Sequence, residues 1–136
     1  MGTIYRATCP SCEYTSDFHL GVGLNSIRLL FLLRGLSETD RAAVEKMNEE
    51  GRIRSVVGTN ELVKDCDCSN NTGKQLPLAV KMILTVTDKE GHTHLFGHQC
   101  ADCGKKLLRY PDIAEPIPCP VCGKSHLKFQ TVGHWD

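Results

Sequence analysis

The sequence predicts an α+β fold in which β-hairpins tipped by paired cysteines surround an insertion of two helices at about residues 25–51. Eight cysteines, in a chain of 136 residues with ordinary apolar content, fall into four close pairs. Alternating apolar and polar residues flank these pairs, as in half-buried strands. Helix start and stop signals occupy the segment after the first pair. These three observations predict a single domain that spans residues 1–136.

The first hairpin is predicted at residues 3–20. A strand from Thr3 to Thr8 leads into the sequence C-P-S-C at residues 9–12, and a second strand alternates apolar and polar residues as far as Leu20. Glu13 follows the second cysteine, at a position where glycine usually relieves a sharp turn. The segment therefore predicts two strands joined by a turn that points two sulfurs in one direction.

Two helices are predicted in the insertion that follows. A run from Ile27 to Arg34 is apolar nearly all round, which is typical of a helix buried in a core or against a partner. A second helix begins after Ser37, which forms a capping-box pattern with Asp40, and it ends at Gly51. The apolar helix is the expected partner surface if it is exposed.

Strand-like sequence returns after residue 51. The clearest strand runs from Leu78 to Thr87, a turn ends at Gly91, and His92 to Gln99 forms the returning strand. That strand runs directly into Cys100, the first cysteine of the C-terminal region. The best-defined cysteine hairpin is therefore predicted at residues 92–132.

The C-terminal cysteines have the spacing C-x2-C-x15-C-x2-C, which is typical of a four-thiolate zinc site. Two residues between cysteines let one tight turn aim both sulfurs at one ion. The nine residues that begin at Cys100 and the nine that begin at Cys119 match at five positions, so two similar turns can face each other. This spacing predicts one metal site, formed by Cys100, Cys103, Cys119 and Cys122.

The remaining cysteines predict a second metal site that spans the helical insertion, formed by Cys9, Cys12, Cys66 and Cys68. Other pairings remain open, because four pairs can be combined into two sites in three ways. Cys9 and Cys12 can instead face either C-terminal pair. Cys66 or Cys68 can also be an idle thiol, and a mixed site with His19 is a further alternative.

Metal thiolates explain the cysteines better than disulfides do. Disulfides require an oxidising compartment, and the N-terminal residues contain no apolar core of a secretory signal. No apolar run is long enough to span a bilayer, so we expect a cytoplasmic protein with no membrane partner. The formal net charge is zero, and two zinc-bound quartets would bring it to about −4, which argues against a strongly basic nucleic-acid surface.

Three histidines suggest an alternative function. His92, His94 and His98 would share one face of a continuous strand, as ligands of a catalytic metal with an open position would. No acidic general base accompanies them at a recognisable spacing. Haem attachment and ferredoxin-type clusters are not indicated, because the C-x-x-C-H and C-x2-C-x2-C patterns do not occur.

The cysteine motifs at residues 9–12, 100–104 and 119–123 resemble those of the zinc-ribbon, or rubredoxin-like, class. The layout looks like that of small bacterial zinc-ribbon proteins that begin with a strand and a C-P-x-C turn. This resemblance implies metal binding, and we expect two structural zinc ions in closed sites. The expected role is a binding or assembly module for a protein or nucleic acid, with no small-molecule substrate identified. A rubredoxin-type iron site that carries electrons is the alternative that the same ligands allow.

Overall fold

The computed structural model describes residues 2–22, 32–66, 68, 78–100 and 102–135. Within these ranges it contains seven strands and one complete helix. The strands are β1 (Gly2–Thr8), β2 (Thr15–Leu20), β3 (Ile53–Lys64), β4 (Leu78–Asp88), β5 (Thr93–Phe96), β6 (Leu108–Tyr110) and β7 (Lys128–Trp135), and the helix is α1 (Glu38–Glu49).

The predicted α+β class with a two-helix insertion at residues 25–51 is wrong, because the described part of the chain is mostly β. The two longest strands, β3 and β4, pair over almost their whole length and form the centre of a sheet, of which the sequence indicated the β4–β5 hairpin but not this central pairing. The second predicted helix is present as α1, with Ser37 Oγ accepting a hydrogen bond from Asp40 N. The first predicted helix, Ile27 to Arg34, lies mainly outside the described residues.

The first sheet has three antiparallel strands in the order β2-β1-β7. It joins the two ends of the described chain, because β1 pairs with β2 on one side and with β7 on the other. Trp135 lies across Gly2, where any Cβ would overlap the indole ring, and its Nε1 donates a hydrogen bond to Leu20 O at 3.0 Å. Glycine at position 2 therefore allows the aromatic ring to cover the end of this sheet.

The second sheet has four antiparallel strands in the order β5-β4-β3-β6. One end of it packs on α1, where Leu84 and Val86 of β4 are fully buried with Val44 of the helix. Near its other end, Leu62 of β3 is fully buried in a core shared with the first sheet. In the described ranges, no helix combines the length and apolarity that crossing a membrane requires.

Candidate metal centres

The eight cysteines form two groups of four whose sulfur atoms all lie within 4.8 Å of one another. The inner quartet combines the first and last pairs, and the outer quartet combines the two middle pairs. The predicted grouping is therefore not the one observed, since Cys100/Cys103 and Cys119/Cys122 lie in different quartets. The inner quartet is Cys9, Cys12, Cys119 and Cys122, and the outer quartet is Cys66, Cys68, Cys100 and Cys103.

Strand register is the physical reason for this grouping. Thr8 at the end of β1 lies opposite Lys128 at the start of β7, so the turn after β1 meets the turn before β7. Lys64 at the end of β3 lies opposite Leu108 at the start of β6. The cysteine pair that follows β3 therefore meets the cysteine pair that precedes β6. Each quartet thus stands at the end of a pair of antiparallel strands that come from distant parts of the sequence.

The two C-terminal turns are built alike. Gly104 N donates to Cys100 O at 2.9 Å, and Gly123 N donates to Cys119 O at 3.0 Å. Both glycines have positive φ, +78° and +64°, which side-chain-bearing residues rarely adopt. The glycine that follows each pair therefore lets the backbone turn around the sulfurs.

The second C-terminal turn is one residue longer than the first. Cys100 N donates to Lys105 O, five residues on, whereas Cys119 N donates to Ser125 O, six residues on. Leu107 and Leu127 therefore occupy equivalent positions, with their N–H groups bonded to the carbonyls of His98 and Ile117. A comparison of the two segments without a gap aligns Leu127 with Leu108 instead.

The N-terminal turn closes without a glycine. Cys9 N donates to Tyr14 O at 3.1 Å, the same five-residue span as in the first C-terminal turn. No non-glycine residue among those described has positive φ, and this includes Glu13. The glutamate after Cys12 is therefore compatible with the turn.

The sulfur separations fit a tetrahedral metal site. The Sγ atoms of Cys9 and Cys122 are 3.5 Å apart, and those of Cys12 and Cys119 are 3.7 Å apart. In the outer quartet the separations are 3.4 Å for Cys66–Cys103 and 3.6 Å for Cys68–Cys100. A tetrahedron with Zn–S bonds of about 2.3 Å has S···S edges of about 3.8 Å. All eight thiols are free of disulfide bonds.

The four thiols of the inner quartet do not readily ionise together unless a cation is bound. Burial opposes ionisation of Cys119, but hydrogen bonds from the N–H groups of Cys122 and Val121 lower its pKa to about 6. The pKa of Cys12 instead rises to about 12, despite a backbone hydrogen bond from Tyr14, because burial and the neighbouring sulfurs oppose a further negative charge.

In the outer quartet, too, the pKa of one thiol falls while the pKa of another rises. Hydrogen bonds from the N–H groups of Cys103 and Asp102 lower the pKa of Cys100 to about 7. The neighbouring thiols, Cys66 first, raise the pKa of Cys68 to about 12. Four close thiolates need a bound cation to ionise together, so these donor sets fit a divalent metal that releases protons on binding.

The two quartets differ in burial. Cys119 is fully buried and Cys9 is 7% exposed, and both belong to the core that the two sheets share. Cys12 and Cys122 are half-buried. In the outer quartet Cys103 is exposed, and the other three cysteines are half-buried. Two serines also meet at the inner quartet, where the hydroxyls of Ser11 and Ser125 form a hydrogen bond between facing turns. The sequence carried no signal for this contact, because it depends on which turns face each other.

The three histidines are not brought together as a metal site. Strand β5 ends at Phe96 and Gly97 adopts φ +84°, so His98 does not continue the strand that carries His94. His94 Nε2 lies 3.0 Å from Asp88 Oδ2, and His92 Nδ1 lies 3.7 Å from the same oxygen. Among the described side chains, the two cysteine quartets alone gather three or more metal-binding groups closely enough to share an ion.

Sequence reasoning also missed two polar contacts that support this region. Asp88 is 4% exposed, and its Oδ1 accepts hydrogen bonds from the N–H groups of Glu90 and His92. Arg109, which follows the outer quartet, forms two hydrogen bonds of 2.7 Å with Glu61 on β3. Aspartate at a turn was a usable signal for the first contact, whereas the second depends on the β3–β6 register.

Comparison of the chain with protein-family models, with curated proteins and with solved structures found no match. The fold and the two quartets define the class on their own. The chain is a mostly β protein with two four-cysteine groups that can hold metal ions, consistent with zinc-ribbon-like sites.

Proposed function

We propose that the protein binds two Zn²⁺ ions, one in each quartet, and that it serves as a binding or assembly module for another macromolecule. The observation that carries the proposal is the presence of two complete four-sulfur sets, in which all sulfurs lie within 4.8 Å of one another and two pairs in each set lie 3.4–3.7 Å apart. Four protein thiolates fill the tetrahedral coordination shell of zinc, which is typical of structural rather than catalytic sites. We expect such ions in a reducing, cytoplasmic setting, where thiols stay available for metal.

The positions of the quartets support a structural role. Each one fastens a cysteine turn to a second turn from a distant part of the chain, at the end of an antiparallel strand pair. Structural zinc sites contribute about 10–16 kcal/mol of apparent free energy to folding. An ion in the inner quartet would therefore stabilise the β1–β7 end of the first sheet, and an ion in the outer quartet the β3–β6 end of the second.

An exposed apolar side chain at the inner quartet supports the role of a binding module. Val121 lies between the two cysteines of its turn and is 63% exposed. Leu108, which begins β6 beside the outer quartet, is 55% exposed. Apolar side chains held at rigid turns are suitable contacts for a protein partner, and the lysines near the turns are suitable contacts for nucleic acid.

Elemental analysis of the freshly purified chain, with an absorption spectrum, tests the metal proposal. We expect two zinc ions per chain and no visible colour. Replacement by Co²⁺ should give the intense visible bands of tetrahedral thiolate coordination. One metal ion, or none, would contradict the proposal. Iron with a visible colour that bleaches on reduction would instead support an electron carrier, since the same four-thiolate geometry accommodates iron.

A capture experiment tests the partner proposal. The zinc-loaded protein and its Val121→Ser variant are immobilised in parallel, because this substitution removes an exposed apolar group without touching a ligand. We expect a protein or nucleic acid that the first retains and the second retains less. Equal retention of everything by both would remove Val121 from the interface.

A further inference from the structure

We propose that the outer quartet is a modification site at which a hydroperoxide oxidises Cys103 and Cys66 to a disulfide and releases the bound metal. The inner quartet is protected from the same reaction by burial. This inference rests on the proposed function for the identity of the ion. It adds that the two metal sites differ in chemistry although their donor sets are the same.

Access is the first difference between the quartets. Cys103 is exposed, whereas no cysteine of the inner quartet is: Cys119 is fully buried, Cys9 is 7% exposed, and Cys12 and Cys122 are half-buried. Phe18 and Leu127 belong to the core cluster that contains these inner cysteines. A peroxide from solvent can therefore reach a sulfur of the outer quartet without opening the core.

A basic cleft is the second difference. A cleft of about 190 Å³ opens beside Cys66, and the described residues that line it include Lys64, Lys105, Lys106 and the acidic Asp65. The volume is ample for a small hydroperoxide. Ammonium groups stabilise the hydroxide that leaves when a peroxide is reduced. The cleft thus places positive charge against Cys66, whose sulfur lies 3.4 Å from that of the exposed Cys103.

The reaction balances as a two-electron oxidation. The Cys103 thiolate attacks one oxygen of the peroxide, so that an S–O bond forms, the O–O bond breaks and hydroxide or alkoxide leaves. The Cys66 thiolate then attacks the sulfenic sulfur, the S–S bond forms and a hydroxide leaves. The two sulfurs start 3.4 Å apart and need to approach to about 2.0 Å. Two thiolates remain, which hold Zn²⁺ far less well than four.

Sulfur proximity alone does not separate the quartets. Cys9 and Cys122 are 3.5 Å apart, almost the same separation as Cys66 and Cys103. The inner quartet is therefore an internal control within the same molecule, because a reaction that depended only on neighbouring sulfurs would affect both quartets equally.

The test uses the full chain, after its metal content has been measured. Hydrogen peroxide is added in the presence of a chromogenic zinc chelator, the remaining thiols are counted, and disulfides are mapped by mass spectrometry. We expect one zinc ion per chain to be released with the loss of two thiols, at least tenfold faster than the second, and a Cys66–Cys103 disulfide. Release of both ions at one rate, or first oxidation among the inner cysteines, would overturn the inference.

Matched variants separate the cleft from the metal. Lys106→Gln should slow the first release severalfold, whereas Lys124→Gln, beside the inner quartet, should leave it unchanged. Equal rates in both variants would contradict the role of the cleft. A chain isolated without metal would overturn the proposed function alone. Disulfide mapping on that chain still tests the inference, since it expects oxidation at Cys66 and Cys103 before any inner cysteine.

Discussion

The ion pair between Arg109 and Glu61 gives the sharpest energetic prediction. Arg109 Nε and Nη2 donate to Glu61 Oε2 and Oε1, both at 2.7 Å, and the two side chains are 27% and 11% exposed. Exposed pairs contribute about 0.2–1 kcal/mol, and breaking a buried pair costs about 3–5 kcal/mol. This pair lies between these limits, so Arg109→Ala should lower the free energy of unfolding by about 2 kcal/mol.

A double-mutant cycle measured by urea denaturation tests this magnitude. The cycle uses Arg109→Ala, Glu61→Ala and the double variant, each loaded with the same metal, and we expect a coupling energy of about 1–2 kcal/mol. The pair of Arg6 and Asp17 is the matched control, because it has the same two-bond geometry at 2.9 and 3.1 Å but side chains 50% and 41% exposed. Its coupling should be weaker. A coupling energy for Arg109 and Glu61 below about 0.5 kcal/mol would refute the reasoning.

The same substitution should also affect the outer quartet. Arg109 is the central residue of β6, which has only three residues and pairs with β3 directly after the turn that carries Cys100 and Cys103. Loss of the ion pair should let this short strand open more often, so that a chelator removes the outer ion severalfold faster. Release of the inner ion should not change.

Three further substitutions, the first paired with a control substitution, test other parts of the structure. Leu84→Ala removes a fully buried side chain beneath α1 and should lower the free energy of unfolding in urea by about 2–5 kcal/mol, whereas Leu95→Ala at a 42% exposed site should change it by less than about 0.5 kcal/mol. Gly97→Ala should lower the melting temperature, since its φ is +84° and its Cβ would lie 2.6 Å from a carbonyl oxygen of β4; an unchanged melting temperature would contradict the strain. The pKa of Asp88 falls from 3.8 to about 2, mainly because of its hydrogen bond with His94 and then because of two backbone N–H groups. The contribution of Asp88 to the free energy of unfolding is therefore present above about pH 4 and is lost as the pH falls through 2. Asp88→Asn should reduce this part of the acid sensitivity in denaturation measured against pH.

The cysteine turns that can hold metal ions were predictable from the sequence because the signal is local. Two residues between cysteines, and a glycine after Cys103 and after Cys122, determine the turn by themselves. The grouping of the pairs was not predictable in this way. It depends on the register of β1 with β7 and of β3 with β6, and many registers satisfy the same short cysteine motifs.

The elements of the fold likewise separate into those that local sequence features predict and those that tertiary contacts determine. Helix α1 was predictable, since its cap at Ser37 and its stop at Gly51 are local features. Strand-like sequence was also predicted after residue 51, but the pairing of β3 with β4 was not, because it depends on tertiary contacts and because β3 contains Gly58. Gly58 lies against Leu32 and Met82, where a Cβ would clash. A glycine that weakens a strand in isolation is thus required by the packing of the folded chain.

The grouping of the cysteines also sets an order of events during synthesis. The outer quartet joins residues 32 and 37 positions apart, and the inner quartet joins residues 107 and 113 positions apart. Closing the longer loops costs about 1 kcal/mol more in chain entropy. At about 5–20 residues per second, the ribosome adds Cys122 roughly 1–4 s after Cys103. During that interval a nascent chain can complete its outer quartet while Cys9 and Cys12 have no partners. A limited supply of zinc would therefore fill the outer quartet first and leave the inner quartet without an ion.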